Sequence, residues 1–525
     1  MPEITIDGRK VEVSPGSTVL DAARTLGIGI PTLCHAPGLP LHTSCMLCAV
    51  RDVQTRRLVP SCSLPARDGM EFASDAPDVR EARQKTLELL LGEHVGDCEA
   101  PCQRSCPAQM NIPLMIRQIG SGKTRDALIT VKRDIALPAV LGRICPAPCE
   151  KACRRGRRDQ PVAICLLKRF AGDVDLAGRS PWLPERRPAT DKEIAIIGAG
   201  PAGLAAAWHL ALDGHVCTVF DDHDQPGGAL RHAVPEDRLP RDVLDKEIAV
   251  IRQLGVNFRL SCRVGVDIHA GELPVDFDAV VLATGPSASS GLSELASHLG
   301  IELAGDKVKV DPATFQASRP GIFAAGSVVH PSQMAVRAVA HGRAVAAAVH
   351  QFLSGQPVTG LPRRFNSVLG KLEDGEMQEF MKGAADHARL EPAGGTAAGF
   401  SEAEAAGESA RCMHCDCRKA DDCRLRLLAE YLEAKQGHFR VEGRLRFERI
   451  QQPGVVYEPG KCIECGICVR ICEKQKERLG LTFIGRGFQV RVGVPFNRPL
   501  SEALEHTAAD CIAACPTGAL AGVDA

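Results

Sequence analysis

Apolar and polar residues alternate at the start of the chain. In ITIDGRKVEV (4–13) every second residue is apolar on either side of an Asp-Gly pair, which predicts two strands joined by a tight turn. TVLDAARTLG (18–27) then changes to a helical pattern. The most apolar stretch, IAIIGAGPAGLAAAWHLAL (194–212), is interrupted by Gly and Pro. It reads as a buried strand, a glycine turn and a buried helix, with VCTVFDD (216–222) as a second strand. DAVVLATG (278–285) and GIFAAG (321–326) are further short apolar runs of strand length, and HGRAVAAAVHQFLSG (341–355) is a helix. Residues 393–410, AGGTAAGFSEAEAAGESA, read as a linker passing into a helix.

Composition changes the picture in one respect. The chain of 525 residues contains 23 cysteines, nearly all in tight groups, with a formal net charge of −1. That length allows three to five domains. A charge so near zero points to neither nucleic acid nor an anionic membrane as partner. No apolar run has transmembrane length, and MPEITIDGRK carries no signal-peptide core, so a soluble, cytoplasmic protein is expected. Clustered thiols in a large chain of that kind indicate metal rather than disulfides.

Cys34, Cys45, Cys48 and Cys62 are spaced C-x10-C-x2-C-x13-C. Four thiolates after a hairpin and a helix suit a [2Fe–2S] centre, with zinc as the alternative. This pattern resembles the β-grasp ferredoxin domain of the large iron–sulfur subunit of complex I and of related hydrogenase and formate dehydrogenase subunits.

Six further cysteines form two triplets of equal spacing, Cys98, Cys102, Cys106 and Cys145, Cys149, Cys153. They resemble the helical two-cluster domain of the glutamate synthase small subunit and of dihydropyrimidine dehydrogenase. The resemblance implies one [4Fe–4S] cluster on Cys98, Cys102 and Cys153, and another on Cys106, Cys145 and Cys149. The fourth ligands of that family are missing: Val95 and Lys168 stand at their positions. His94 is a candidate for the first cluster, since H-x3-C resembles the His-ligated cluster of the complex I subunit. Cys165, one helical turn before Lys168, is the candidate for the second.

In the strand–turn–helix unit, Gly198, Gly200 and Gly203 make a GxGxxG fingerprint. Asp221 ends the next strand, where a ribose-binding acid belongs. The segments around it resemble the flavin domain of the glutamate synthase small subunit, with Gly227, Gly228, Arg238, Thr284, Gly285 and Gly326 matching. Ser327 replaces that family's Asp. The family inserts a second, nicotinamide-binding domain between ATG and GIFAAG, whereas residues 286–320 hold neither another GxGxxG nor room for a domain. FAD is therefore expected without a nicotinamide domain beside it.

Cys412, Cys415, Cys417 and Cys423 lie within twelve residues, a third [4Fe–4S] site or a structural zinc. GKCIECGICVRICEKQ (460–475) with DCIAACPTGAL (510–520) resembles a bacterial two-cluster ferredoxin. One cluster keeps Cys462, Cys465, Cys468 and Cys515. The other has lost two ligands to Glu505 and Ala508, leaving Cys472 and Cys511 as thiols or a labile disulfide. GFQVRVGVPFNRPL (487–500) resembles a complex I-type insertion, and Cys217 and Cys262 read as core thiols.

The expected fold class is thus multidomain α/β and α+β: a β-grasp ferredoxin (1–78), a helical two-cluster domain (79–190), a Rossmann-like FAD domain (191–360), a linker or helical segment (361–410), a Cys-rich metal-binding segment (411–440) and a ferredoxin-like domain (441–525). The cofactors expected are FAD, one [2Fe–2S] and about four [4Fe–4S] centres. No side-chain acid, base or nucleophile set is evident. The resemblances together imply an electron-relay subunit partnered by a formate dehydrogenase, hydrogenase or NAD(P)-linked diaphorase subunit, or by a soluble ferredoxin. A stand-alone NAD(P)H-dependent reductase and a structural subunit with a vestigial flavin site are the alternatives.

Overall fold

The computed structural model describes every residue except 287–290, 440–443 and 524–525. The expected boundary at 440/441 and the start of the 286–320 interval lie outside the described residues. The chain forms two units, and neither is continuous in sequence. One contains Met1–Ala100, Arg364–Ala384 and Met413–Ala525; the other contains Pro101–Arg363 and Ala385–Cys412.

In the first unit, Glu3–Ile6 and Arg9–Glu12 form the hairpin, with Asp7 and Gly8 at positive φ in the turn. This is the mirror-image turn geometry that matches strand twist. They join a five-stranded sheet in the order Arg9–Glu12, Glu3–Ile6, Glu71–Ala73, Ala49–Asp52, Leu58–Pro60. Helix Val19–Thr25, closed by a Thr18/Asp21 capping box, packs Val19, Leu20, Ala22 and Ala23 into the same core as Ile4, Ile6 and Phe72. The carboxy-terminal part pairs Ile450–Gln452, Val455–Tyr457 and Leu520–Gly522, and adds helices Ile467–Lys474 and Ala508–Ala514. Helix Pro77–Gly92 buries Leu87 and Leu91 in one cluster with Cys34, Tyr457 and Leu520. This helix, included in the expected helical domain at 79–190, thus packs with the ferredoxin parts, and the division between the two units falls after Ala100.

In the second unit, five parallel strands run in the order Ile322–Ala324, Ala279–Leu282, Glu193–Ile197, Val216–Phe220, Asn257–Arg259. Helices Pro201–Leu212 and Ala335–Leu353 cross so closely that a Cβ on Gly342 would lie 2.3 Å from the Ala202 carbonyl. A helical layer comprises Ile112–Gly120, Thr124–Lys132, Pro138–Ile144 and Ile164–Ala177. Helix Glu402–Ala410, entered through a Ser401/Glu404 capping box, belongs to it. The segment expected to be a linker passing into a helix does end in one, and that helix is anchored in the core: the buried Glu408 accepts from the amides of Ala163 and Leu390 and from Arg411, each at 2.8 Å.

Candidate cofactor and cluster sites

At the amino-terminal site Cys34, Cys45, Cys48 and Cys62 are all buried. The thiols fall into two hydrogen-bonded pairs, Cys34 with Cys45 and Cys48 with Cys62, and the pairs are close enough to feel each other's charge. The bond from its partner holds Cys34 down to about 4 and Cys62 to about 7. Two pairs side by side suit two irons sharing sulfide, each held by one pair.

In the ferredoxin part, Cys462, Cys465, Cys468 and Cys515 line one cavity with Tyr457, Ile467 and Leu520. The two cysteine sites adjoin within this unit. Buried Arg470 donates to the carbonyls of Cys34 at 2.9 Å and Cys465 at 3.0 Å. It also reaches Pro40 and Gly466. Sequence reasoning missed Arg470, because nothing in the motif indicates that a helix residue ties two loops by their backbones. Cys472 and Cys511 lie within hydrogen-bonding reach of each other, both buried, and Cys472 also faces the Thr507 hydroxyl at 3.5 Å.

Cys98 is held by the amide of Ser367 on its sulfur at 3.4 Å and offers its carbonyl to the Cys417 amide at 3.1 Å. Cys417, assigned from sequence to a separate site with Cys423, acts electrostatically on Cys98, and Cys417 and Cys98 both act on Cys423. Burial pushes Cys98 up to about 11 and Cys423 up to about 12. Lys461, fully buried and paired with Glu458, lies next to Cys417; Glu458 also takes a 3.0 Å bond from Arg449. Burial opposes the Lys461 charge, but Cys417 and Glu458 outweigh it and leave its pKa raised.

In the second unit Cys106, Cys145, Cys149 and Cys165 converge. The Cys165 thiol is within hydrogen-bonding reach of Cys145 and Cys149, and Cys106 senses Cys145. Cys145 caps the carboxy-terminal end of Pro138–Ile144, while Cys165 sits in the first turn of Ile164–Ala177. Buried Lys168, one turn beyond, faces all four; burial opposes its charge, but the thiols prevail and its pKa is raised. Cys102, Cys153 and Cys412 border the same apolar core.

The nucleotide fold is built as its glycines require. Gly198 has φ +109°, and a Cβ there would sit 2.4 Å from the Ala283 carbonyl. A Cβ on Gly203 would lie 1.9 Å from the Gly198 carbonyl, so only glycine lets the helix start this close to the strand. Gly200, the cap of helix Pro201–Leu212, borders open space, which leaves the helix amides free to meet an anion. Gly227 donates to the Ala199 carbonyl at 2.9 Å, and Gly228 packs on Gly200. Asp221 takes the Ala199 amide at 2.6 Å and the His223 amide at 3.0 Å, which aims its carboxylate at the turn. The Thr284 hydroxyl is buried with no partner, as a group waiting for a ligand would be, and Gly285 beside it has φ +73° with open space around it. Gly326 and Ser327 open a short 3-10 turn after the last strand, with the Ser327 hydroxyl 3.4 Å from the Ser332 carbonyl. Arg238 is exposed. Between this turn and Gly285, the described residues form one short helix, Leu292–Leu299, and a two-stranded hairpin, with no parallel sheet of their own.

Three family models match the chain. A 2Fe–2S iron–sulfur cluster binding domain covers residues 2–77, the dihydropyrimidine dehydrogenase domain II with its 4Fe–4S cluster covers 93–179, and an NAD(P)-binding Rossmann-like domain covers 196–260. Among relatives, the chain is 43% identical over 212 residues to the NADP(+)-dependent formate dehydrogenase subunit beta of Moorella thermoacetica, covering 36% of this chain and 30% of that one. It is 40% identical over 192 residues to the NADPH-Fe(3+) oxidoreductase subunit beta of Geobacter sulfurreducens, 36% of this chain and 29% of that one. It is 38% identical over 241 residues to the glutamate synthase [NADPH] small chain of Mycobacterium tuberculosis, 45% of this chain and 47% of that one. The matched stretch thus spans half or less of each relative. The expected fold class holds: a 2Fe–2S ferredoxin domain, a 4Fe–4S domain and a Rossmann-like domain lie on one chain, and its relatives are redox subunits. No helix among the described residues is long and apolar enough to cross a membrane.

Proposed function

We propose that the chain is an electron-transfer subunit that relays electrons between FAD and a series of iron–sulfur centres to a partner of the formate dehydrogenase, hydrogenase or NAD(P)-linked diaphorase type, in the cytoplasm. The observation that supports this reading is the joining of the amino-terminal and carboxy-terminal cysteine sets through Arg470, which brings two thiol groups suited to redox centres into one buried core.

FAD, when bound, exchanges electrons in pairs or singly, and the clusters carry single electrons. The residues of this chain supply position and field. Gly198, Gly200 and Gly203 leave room for a pyrophosphate at the start of helix Pro201–Leu212, and Asp221 stands where a ribose would end. Thr284 offers the unpartnered hydroxyl. Buried apolar residues around each cysteine set exclude water, which slows cluster loss and sharpens the effect of nearby charge. Twenty side chains make up the ligand supply: the cysteines at 34, 45, 48, 62, 98, 102, 106, 145, 149, 153, 165, 412, 415, 417, 423, 462, 465, 468 and 515, with His94. They are enough for one [2Fe–2S] and four [4Fe–4S] centres.

The described residues of 286–320 form no second nucleotide-binding sheet that would hold NAD(P)H against a flavin, and on this reading electrons enter or leave through clusters. The names of the relatives, which include NADP(+) and NADPH, favour a second reading, a reductase that takes hydride directly. Anaerobic mixing of the purified chain with NADH or NADPH separates the two. The relay reading expects no bleaching of flavin absorbance without a partner subunit; bleaching within the mixing time of the instrument overturns it.

A further inference from the structure

We propose that His94, Cys98, Cys417 and Cys423 hold one [4Fe–4S] centre, a site of three thiolates and one imidazole that neither cysteine run makes alone. All four residues belong to the first unit. The three thiols are buried, at 7%, 6% and 5% exposure, and come from segments more than three hundred residues apart. Backbone bonds hold them in place. Cys417 donates its amide to the Cys98 carbonyl, Ser367 donates to the Cys98 sulfur, and Leu425 donates to Pro516, the carbonyl that also faces the Cys423 thiol. A Cβ on Gly518 would lie 2.1 Å from the Cys417 sulfur, so glycine is required there for the thiol to keep its place.

His94 supplies the independent observation. Its Nδ1 is shielded from solvent, although part of the ring is accessible, and it has no hydrogen-bond partner. A buried polar atom left without a partner is destabilising, and ligation would remove that cost. The chain from His94 to Cys98 is clamped: Val95 donates to the Gly460 carbonyl at 2.7 Å, Ser367 Oγ to the Gly96 carbonyl at 3.0 Å, and Leu369 to Asp97 at 3.1 Å. Gly96 is packed on the Lys461 side chain, whose charge acts on His94, Cys98 and Cys417 alike. The imidazole and the thiols therefore share one buried neighbour.

The spacing favours a cluster over a single ion. Zinc at about 2.0–2.3 Å from each ligand needs its donors close together. The described group with three donor atoms within 4.8 Å of one another is Asp221–Asp222–His223, not these residues. None of the three cysteines is paired in a C-x2-C knuckle with another of the set. The assignment deepens the relay reading and rests on it for an electron-carrying role, since the Cys423 thiol faces the carbonyl of Pro516, the residue after Cys515.

The test uses the full chain, purified anaerobically after labelling with 15N-histidine and then reduced. Pulsed EPR is expected to show one [4Fe–4S] signal coupled to a histidine nitrogen. Cys98→Ser, Cys417→Ser and Cys423→Ser should each remove that same signal, with about four iron atoms per chain. His94→Cys should keep the iron, lose the nitrogen coupling and lower the midpoint potential, because a thiolate adds negative charge. Cys412→Ser should leave the nitrogen-coupled signal in place. The proposal is overturned if the wild-type chain shows no nitrogen coupling, if Cys98→Ser and Cys417→Ser remove different signals, or if these variants lose zinc instead of iron. Flavin content and the response to NADH, read on the same samples, report on the relay reading separately.

Discussion

Glu247 lies in the helix Arg241–Gln253 of the nucleotide-binding fold, yet its carboxylate does its work in the helical layer. Its two oxygens accept the amides of Ala139 and Val140, each at 3.0 Å, at the start of helix Pro138–Ile144. The other end of that helix carries Cys145. Burial pushes Glu247 up to about 7 from 4.5, against the pull of Lys132 and the two amide bonds. A carboxyl group raised on folding binds its proton more tightly in the native state, so its contribution is greatest below pH 4.5 and falls as pH rises toward 7. At about 1.4 kcal/mol per pH unit across that window, the loss totals about 3 kcal/mol. Glu247→Gln abolishes this titration and keeps one acceptor. Glu247→Ala leaves both amides bare, at a cost of about 1–3 kcal/mol for each. The chain's two tryptophans, Trp182 and Trp208, both lie in the second unit, so their fluorescence during urea unfolding reports on it alone. The wild-type urea midpoint should fall between pH 5 and 7 relative to Glu247→Gln, and the EPR signal of the centre proposed at Cys106, Cys145, Cys149 and Cys165 should broaden in Glu247→Ala. Parallel pH curves for wild type and Glu247→Gln would refute the reasoning.

Other outcomes follow from charge and space. Lys168→Met removes a buried cation facing four thiols; at an effective dielectric near 20 and a few ångströms a unit charge is worth about 3–4 kcal/mol. The midpoint of that centre should therefore drop by on the order of 100 mV in a redox titration, at about 59 mV per 1.4 kcal/mol for one electron. Gly203→Ala drives a methyl group to 1.9 Å from the Gly198 carbonyl; the purified variant should carry less than a tenth of the wild-type flavin, measured by absorbance after heat release, while its iron content holds. Arg470→Met strips the donors from the carbonyls of Cys34 and Cys465. It should destabilise the first unit by about 3 kcal/mol, read as bleaching of the [2Fe–2S] absorbance at lower urea.

Much of the site was legible because inorganic chemistry leaves short, local signatures. The amino-terminal hairpin, the GxGxxG turn and the Cys462–Cys468 loop each sit within one supersecondary element, where spacing alone dictates which atoms can converge. The approach of Cys165 to Cys145 and Cys149 was readable for the same reason, as one turn of helix fixes the face it shares with Lys168. What escaped notice depends on contacts distant in sequence. Cys98 lies close to Cys102 along the chain, but its sulfur is held by Ser367 and its carbonyl by Cys417, partners hundreds of residues away. The stretch 393–410 looks like a linker in composition, yet Glu408 is anchored by three charge-assisted or amide bonds that no local pattern announces. Lys461, Glu458 and Arg449 form a buried ionic set whose meaning appears only once the thiols around them are placed.

The discontinuous build of the first unit bears on how the protein is made. Leu33, Leu87 and Leu91 share a core with Tyr457, Leu481 and Leu520, so these leucines leave the ribosome long before their packing partners exist. At roughly 5–20 residues per second, the wait from residue 100 to residue 413 lasts roughly 15–60 s, during which greasy side chains and reactive sulfur are both uncovered. The pair Cys48 and Cys62 keeps a core of its own within residues 4–72, whereas a set that draws thiols from both ends of the chain can close only after synthesis has passed residue 413.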